Sequence, residues 1–241
     1  MRSRALTLSL LLLSGSILLF SSCRYRKGNG NIVTIEKQVD PFDEVEVHGA
    51  IDVYASSGDH KAIRIEGDEN LLRYIIVEDH HGEVEIRTKS GVNLRPTQKI
   101  KVYVSAPQYA KLEVTGACNI IGENQIRGKD RLEVRVTGAG NIKMDLDAPD
   151  LKAEISGAGK MTLTGRTRDF DAQISGAGKA SCYELLAERT KVEISGAGSA
   201  DVYASVSLDA QVSGAGNVRY RGEAQEVKQQ VSGAGSVKKA E

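Results

Sequence analysis

The sequence is poor in aromatic residues, in cysteine and in net charge, and each shortage removes a class of function. Its 241 residues include no Trp, three Phe and three Cys, and 32 basic residues balance 32 acidic ones. So few cysteines exclude a disulfide-stapled secreted domain. The scarcity of aromatic side chains argues against an aromatic platform for glycans, and a net charge of zero gives no reason to expect nucleic acid as a partner.

Motifs of common cofactor and metal sites are also missing. No GxGxxG opens a helix, and neither GxxxxGKS nor GxxxxGKT is present, so nucleotide phosphates are not expected. Cys and His are not spaced as zinc ligands. Glycines do repeat, but without the aspartate that calcium-binding β-rolls carry in every nine-residue turn. We therefore expect no metal and no cofactor.

The start of the chain is typical of a cleaved signal peptide. Arg2 and Arg4 precede an apolar run from Leu6 to Phe20, and small residues follow it. At about 15 residues, the run is shorter than the about 20 that a transmembrane helix needs. We expect export with removal of residues 1–22, which leaves a net charge of −2 because two basic residues and no acids are lost.

A cysteine stands directly after this leader, as it does in bacterial lipoproteins. Phe20-Ser21-Ser22-Cys23 resembles the lipobox, in which the cysteine is lipidated, although Phe stands where Leu is usual. We predict a lipid anchor at Cys23, a membrane partner through that lipid, and a tether over 23–31. No acidic residue follows closely, which favours the periplasmic side of the outer membrane and leaves surface display open. An ordinary signal peptide with a chance cysteine is the alternative.

One short phrase, in the forms VTGAC, VTGAG, ISGAG and VSGAG, recurs seven times between residues 114 and 235. Successive copies follow one another at nearly equal intervals. The first glycines of the seven copies are Gly116, Gly138, Gly157, Gly176, Gly196, Gly214 and Gly233. A regular period of about 19 residues predicts a solenoid.

Within each repeat, apolar and polar residues alternate with the period of a β-strand. Apolar residues stand two before the first glycine in every copy and four before or after it in nearly every copy, whereas the residue three before it is polar throughout. These polar residues are Glu113, Arg135, Glu154, Gln173, Glu193, Gln211 and Gln230. The pattern predicts an all-β chain that forms a right-handed parallel β-helix with coils of about 19 residues. The small residues of the phrase are expected to face inward at the corners.

Upstream of the repeats, the chain keeps strand alternation without the phrase. We interpret residues 32–110 as irregular coils that cap the first end of the helix, followed by repeats over 111–237 in one domain of residues 32–241. A separate small β domain is the alternative. Leu71-Leu72-Arg73-Tyr74 is a candidate helical turn.

After cleavage, the chain would contain two cysteines in addition to the lipidated Cys23. Cys118 and Cys182 belong to coils three apart, which puts them about 14 Å apart along the axis, whereas a disulfide needs Cα atoms within about 7 Å. All four histidines lie upstream of the repeats, so neither thiol has an activating base. We predict two free, buried cysteines.

Parallel β-helices include polysaccharide lyases and hydrolases, which need converging carboxylates. The pair Asp145 and Asp147 is the best candidate, but it lies beside the Ala148-Pro149 turn, where a solvated turn explains it equally well. We therefore assign no catalytic residue and predict that the protein is not an enzyme.

The residues three after each first glycine form a second exposed column. They are Asn119, Asn141, Lys160, Lys179, Ser199, Asn217 and Ser236. Lys160 and Lys179 would be neighbours on consecutive coils, and with Asn141 they form a candidate ligand face for an anion or an acidic glycan. The alternative is that the two long side chains splay into water. Tyr183, Tyr203 and Tyr220 occur in the late coils, and only Tyr203 has outward parity.

The last coil, Val231 to Val237, has no visible capping segment after it in the sequence. An uncovered coil exposes strand edges that can pair with another molecule, so a homo-oligomer formed through terminal coils is a candidate partner arrangement. Lys238 and Lys239 would blunt this edge by charge.

Several segments together resemble a known family. Phe42-Asp43-Glu44-Val45-Glu46-Val47-His48-Gly49-Ala50-Ile51-Asp52-Val53-Tyr54, then Gly67-Asp68-Glu69-Asn70-Leu71-Leu72, then the Ser-Gly-Ala-Gly series, are similar to the head GIN domain of auto-transporter adhesins. The resemblance implies a β-helical fold and an exported, often lipid-anchored setting in Bacteroidetes-type bacteria. It supplies no catalytic residues.

Taken with the residues, this resemblance favours a non-enzymatic cell-envelope lipoprotein that acts as an adhesin-like binding module or a structural scaffold. A glycan or another envelope component is the expected partner. A carbohydrate-binding or carbohydrate-active β-helix is the alternative.

Overall fold

The structure is a computed structural model that describes residues 25–240. The expected signal peptide over 1–22 and the lipidation site Cys23 lie outside these residues, and both stay predictions.

The described chain is 72% β-strand and 2% helix. The strands before the repeats are β1 Tyr25–Lys27, β2 Ile32–Lys37, β3 Glu44–Gly49, β4 Asp52–Ser57, β5 Ile63–Asp68, β6 Ile75–His80, β7 Glu83–Thr88, β8 Asn93–Arg95 and β9 Lys101–Ala106. The strands of the repeats are β10 Tyr109–Gly116, β11 Asn119–Gly138, β12 Asn141–Gly157, β13 Lys160–Gly176, β14 Lys179–Ser181, β15 Leu185–Gly196, β16 Ser199–Tyr203, β17 Ser207–Gly214, β18 Asn217–Arg221, β19 Glu226–Gly233 and β20 Ser236–Lys239. A single helical turn, α1, spans Glu69–Leu72, close to where the sequence predicted one.

The repeats stack in parallel and in register. Gly116 pairs with Gly138, Gly138 with Gly157, and the same match continues coil by coil to Gly233. Equivalent positions of the repeat therefore meet along the axis, which confirms the predicted parallel β-solenoid with about 19 residues per coil.

The solenoid begins before the first full copy of the phrase. β3 pairs with β10 so that Gly49 lies opposite Gly116, and β4 pairs with β11. β7 and β9 stack in parallel on the other side of β3 and β4. Beyond them, β2, β5 and β6 run antiparallel to their neighbours, which differs from a further irregular coil. Antiparallel strands can fold back over the end of a stack and so cover edges that another coil would otherwise have to cover.

The segment expected to be a tether is docked on this end of the solenoid from Tyr25 onward. β1 pairs in parallel with β8. The fully buried Asp68 carboxylate accepts hydrogen bonds from the Gly30 amide at 2.7 Å and from the Thr97 amide and hydroxyl at 2.8 Å. Burial alone would raise the pKa of Asp68, but these hydrogen bonds outweigh it and hold the pKa below its usual value.

The core is a narrow column of the predicted inward residues. Val114, Val136 and Ile155 are all at most 1% exposed. The two glycines of each phrase have different reasons to be glycine. The first adopts a positive φ, +108° at Gly176, whereas the second packs against the preceding coil, so that a Cβ on Gly178 would overlap Cγ2 of Ile155.

The expectation that all small residues of the phrase face inward is wrong. Among the small residues of the phrase at Gly176, only Gly178 is buried, whereas Ser175, Gly176 and Ala177 are exposed. Ser175 is outward because it follows the buried Ile174 in the same strand, and Ala177 lies on the exposed corner that the positive φ of Gly176 forms.

Cys118 and Cys182 are both buried and free, as predicted. Burial raises the pKa of each thiol, to about 12 for Cys182. Cys118 stands where other coils have the second glycine, and its Sγ lies 3.3 Å from the Thr115 carbonyl oxygen. Both residues therefore act as small core side chains.

Candidate functional site

Two polar faces run along the solenoid, one on each side of the corner that contains the first glycine. We call the face after this corner the amide–lysine face, and the face before it the charged face. Each consists of two columns of outward side chains, and neighbouring members of a column are about 4.8 Å apart along the axis.

The amide–lysine face contains the three residues that the sequence singled out. Its first column, in register order, is Asp52, Asn119, Asn141, Lys160, Lys179, Ser199, Asn217 and Ser236. Its second column is Tyr103, Tyr54, Ile121, Lys143, Thr162, Ser181, Asp201, Arg219 and Lys238. The structure thus brings Asn141, Lys160 and Lys179 together and adds Lys143 beside them.

The lysines on this face differ in their partners. Lys179 lies 3.7 Å from the Asp201 carboxylate, which is only 5% exposed and also accepts a 2.8 Å hydrogen bond from Arg219. Lys143 and Lys160 are exposed, and no carboxylate of residues 25–240 comes within 4.0 Å of their amino groups. In the middle coils of this face the unpaired positive charge is therefore at Lys143 and Lys160, and Lys238 in the last coil is another exposed lysine with no carboxylate of residues 25–240 within 4.0 Å.

Beside these lysines, asparagine side chains form a short hydrogen-bonded ladder. The Asn141 amide donates to Oδ1 of Asn119 at 2.9 Å, and the Asn119 amide donates to Oδ1 of Asp52 at 2.5 Å. Lys99 also contacts Asp52 at 3.2 Å. The ladder orients the Asn141 side chain next to Lys160, so an amide and a free cation stand on adjacent coils.

An aromatic pair on the same face was missed by the sequence analysis. The rings of Tyr54 and Tyr103 stack with centroids 5.1 Å apart, and the Arg64 guanidinium lies 4.0 Å from the Tyr103 ring centroid. A cavity of about 440 Å³ adjoins Tyr103 and Arg64. The sequence does contain a signal for this pair. Tyr54 stands five residues after Gly49, just as the outward Lys143 stands five residues after Gly138, so Tyr54 could have been assigned to the same face.

The tyrosines that the sequence analysis did consider contribute less. Tyr220 is buried. Tyr183 lies under Arg221, whose guanidinium is 4.5 Å from the ring centroid, and burial together with the Asp201 charge raises the pKa of the Tyr183 hydroxyl. Neither forms an open platform.

Asp145 and Asp147, the candidate catalytic pair, contact polar side chains of neighbouring coils. Asp147 forms a 2.5 Å ion pair with Arg166, and this hydrogen bond lowers the pKa of Asp147. Asp145 accepts a 3.4 Å hydrogen bond from Gln125. A general acid of a glycoside hydrolase needs a raised pKa, so the environment of Asp147 is opposite to that requirement.

Over most of the charged face, opposite charges lie beside one another. Arg135 lies 3.2 Å from Glu154, and Lys152 lies 3.5 Å from Glu133 on the neighbouring coil. Burial would lower the pKa of Lys111, but its contacts with Glu83 and other carboxylates outweigh burial and raise it. From Glu133 onward the charges of this face have opposite neighbours, whereas at the first coils Glu85, Glu46 and Glu113 are successive register partners, so that end of the face is acidic.

A shallow groove of about 630 Å³ follows the later coils of the charged face. Its walls are the exposed serines of the corner and the glutamate or glutamine column. Its polar lining is Glu154, Ser156, Gln173, Ser175, Glu193, Ser195, Gln211, Ser213, Gln230 and Ser232. The groove has hydrogen-bonding groups but no aromatic ring and no cation.

Two further features concern metals and membranes. Within residues 25–240, no group of three or more His, Cys, Asp or Glu side chains could hold a metal ion. The one short helix in this part of the chain is not long and apolar enough to cross a membrane.

Comparisons with known proteins agree with this architecture. Residues 41–224 match the family described as "Putative auto-transporter adhesin, head GIN domain". A "putative adhesin" from Bacteroides fragilis superimposes with a TM-score of 0.83 at 21% identity, covering 89% of this chain and 100% of that one. A "putative lipid binding protein" from Parabacteroides distasonis gives 0.74 at 23% identity, over 90% and 100% of the two chains.

A "putative adhesin" from Parabacteroides merdae gives a TM-score of 0.65 at 24% identity, over 90% of this chain and 99% of that one. At these identities, the structural likeness shows a shared fold. A search of curated proteins found no match.

Proposed function

Because this chain belongs to the head GIN domain family of auto-transporter adhesins, we propose that it is a non-enzymatic, exported binding module of the bacterial cell envelope. The leader and Cys23 in the sequence support a lipid anchor in the outer membrane. The adhesin names of the similar structures support a role in binding rather than in catalysis.

We further propose that the ligand is an acidic polysaccharide that lies along the solenoid axis on the amide–lysine face. The observation that carries this proposal is the free positive charge of Lys143 and Lys160 beside the Asn141 ladder. Lysines would pair with uronic acid carboxylates, and amides would bond hydroxyls.

The dimensions of the face suit an extended polymer better than a small ligand. Tyr103 and Lys179 are five coils apart, or about 24 Å along the axis. The coil spacing is comparable to the length of one sugar residue in an extended chain, so successive sugars would meet successive coils. Several weak contacts along one polymer add to a useful affinity.

The test is binding of the chain Arg24–Glu241 to immobilised polygalacturonate and alginate, with uncharged dextran for comparison. We expect binding to the acidic polymers that weakens as salt is added, because exposed charges are screened. Release of soluble sugars is measured in parallel. Salt-independent binding to dextran, or release of products from any polymer, would contradict the proposal and favour the carbohydrate-active alternative.

A double variant locates the site. Lys143→Gln with Lys160→Gln removes two exposed ion pairs, each of which is worth about 0.2–1 kcal/mol, so affinity should fall by about 2- to 30-fold. Lys37→Gln with Lys89→Gln is the matched control, since it removes the same charge from the end of β2 and from the residue after β7, away from this face, and should bind like the parent chain. Equal losses in both double variants would refute the assignment to this face.

A further inference from the structure

A cluster of basic side chains lies at the first end of the solenoid, where the described chain begins. It consists of four cations and two aromatic rings, and we call it the basic patch. Its members are Tyr25, Arg26, Lys27, Arg73, Tyr74 and Arg95. The guanidinium carbons of Arg26 and Arg73 lie 5.9 Å and 5.2 Å from the Tyr74 ring centroid. That of Arg95 lies 3.9 Å from the Tyr25 ring centroid, and Lys27 is the register partner of Arg95. The tyrosine rings thus gather the cations into one group through cation–π contacts.

Within residues 25–240, the cations of the basic patch lack acidic partners. All four are exposed, and no carboxylate of this part of the chain lies within 4.0 Å of their charged groups, whereas the nearby Lys99 pairs with Asp52 at 3.2 Å. The Asp68 carboxylate is fully buried under this region, and the exposed Glu69 accepts a hydrogen bond from Asn31. In a chain whose charges balance overall, the patch therefore keeps a local excess of positive charge.

The segment that carries the patch is fixed to the end of the solenoid. β1 pairs with β8, and the Gly28 amide donates to the Arg95 carbonyl oxygen at 2.9 Å. The Asn70 side-chain amide donates to the Lys27 carbonyl oxygen at 2.9 Å. Together with the hydrogen bond from the Gly30 amide to Asp68, these contacts hold β1 in place from Tyr25 onward.

This docked segment lies next to the predicted lipidation site. Residue 24 alone separates Tyr25 from Cys23, and two residue steps span at most about 7 Å. That distance is below the Debye length of about 8 Å at physiological salt, so a lipid on Cys23 would bring the patch within reach of the membrane headgroups. Each basic residue close to an anionic bilayer raises affinity by about 5-fold. Tyr25 is 56% exposed, and tyrosine rings suit the boundary between headgroups and hydrocarbon.

We propose that the basic patch lies against anionic phospholipid headgroups of the membrane in which Cys23 is anchored. This inference rests on the lipid anchor of the proposed function. The three arginines and Lys27 pair with headgroup phosphates, and this contact selects which surface of the domain faces the membrane, a choice that the anchor alone does not make. Lys143 and Lys160 lie on later coils, so the membrane and the polysaccharide contact different parts of the chain.

Vesicle binding of the chain Arg24–Glu241, which carries no lipid, tests the patch apart from the anchor. At low salt, the chain should sediment with vesicles of equal phosphatidylglycerol and phosphatidylcholine but not with phosphatidylcholine alone, and added salt should release it. Arg26→Gln with Arg73→Gln should bind about 30-fold more weakly because two cations are lost. Arg26→Lys with Arg73→Lys keeps the charge and should retain most of the binding. Lys143→Gln with Lys160→Gln is the matched control and should bind vesicles like the parent chain.

A fluorescence experiment locates the contact, since the chain has no Trp. When anionic vesicles are added, the emission of Tyr25→Trp should shift to shorter wavelength and be quenched by brominated phospholipid. Tyr203→Trp, in the late coils, should show neither change. Absence of vesicle binding at low salt, equal losses in the two Gln double variants, or equal quenching of both Trp variants would overturn the proposal.

Polygalacturonate binding, measured on the same proteins, keeps this inference apart from the proposed function. A parent chain that binds the polymer but no vesicle refutes the membrane contact alone, and one that binds vesicles but no polymer refutes only the polysaccharide face. Mass spectrometry of the mature full-length protein shows separately whether Cys23 is lipidated. An unlipidated Cys23 would refute the anchor and, with it, the membrane contact proposed here.

Discussion

The two glycines of the repeated phrase should respond differently to the same substitution, and the coil of Gly176 allows a direct comparison. In Gly176→Ala, the new Cβ would lie 2.6 Å from the carbonyl oxygen of Gly157, at a φ of +108°. In Gly178→Ala, it would overlap Cγ2 of Ile155, at a φ that any residue accepts. The first clash is with backbone, and the second is with the branch of a side chain.

These contacts set the expected magnitudes. Backbone strain of about 1–3 kcal/mol and a clash that no side-chain movement relieves should together lower the free energy of unfolding of Gly176→Ala by about 3 kcal/mol or more. Overpacking alone should lower that of Gly178→Ala by about 1–3 kcal/mol. Ala177→Ser, at the exposed position between them, should change it by less than about 0.5 kcal/mol.

A second substitution separates the two causes. Ile155→Leu removes Cγ2 while keeping the volume, so it should recover about 1 kcal/mol of the loss in Gly178→Ala and none of the loss in Gly176→Ala. Urea unfolding followed by circular dichroism gives the free energies. The explanation fails if Ile155→Leu rescues both variants equally, or if both glycine variants unfold like the parent chain.

Three other predictions rest on buried or paired groups. The folded-state pKa of Asp68 is lowered, so the contribution of its carboxylate to stability is present above the unfolded-state pKa of about 3.9 and is lost as the pH falls through the folded-state pKa. Asp68→Asn should therefore destabilise the chain at pH 7. The difference between the urea midpoints of the variant and the parent chain should shrink below about pH 4. A difference at pH 2 that is as large as at pH 7 would contradict this. Cys118 and Cys182 should react with a thiol reagent only when urea unfolds the chain, and rapid labelling of the folded protein would show that the core is open. The double variant Asp145→Asn with Asp147→Asn should bind the polymer as the parent chain does, and its release of soluble sugars should equal that of the parent. If the parent chain released sugars and this variant did not, the pair would be catalytic.

The register of the repeats could be predicted from the sequence because each coil needs glycine at the same two backbone positions. A positive φ and a close approach of backbones both demand glycine, so the intervals between glycines measure the coils. The inward residues followed from strand parity, and Val231 is more exposed than the rest of its column because, within residues 25–240, it has a register partner on one side only.

Other features depend on contacts that one coil cannot reveal. The antiparallel strands of the cap pair residues far apart in sequence, such as Ile35 with Ile65, without any repeated phrase to set their register. The Tyr54–Tyr103 stack could not be predicted for the same reason, since the two residues lie on strands whose register no repeated phrase sets. Asp201 has the parity of an outward residue, so the sequence predicts that it is exposed. It is buried because Arg219 and Lys179 of neighbouring coils lie over its carboxylate.

Lysine footprinting tests the proposed binding face most directly. The chain Arg24–Glu241 is acetylated with and without polygalacturonate, and the modified lysines are located by mass spectrometry. The account predicts that bound polymer protects Lys143 and Lys160 and leaves Lys37 and Lys89 as reactive as before. Protection of the charged-face lysines, or binding of the polymer without protection of Lys143 and Lys160, would contradict it.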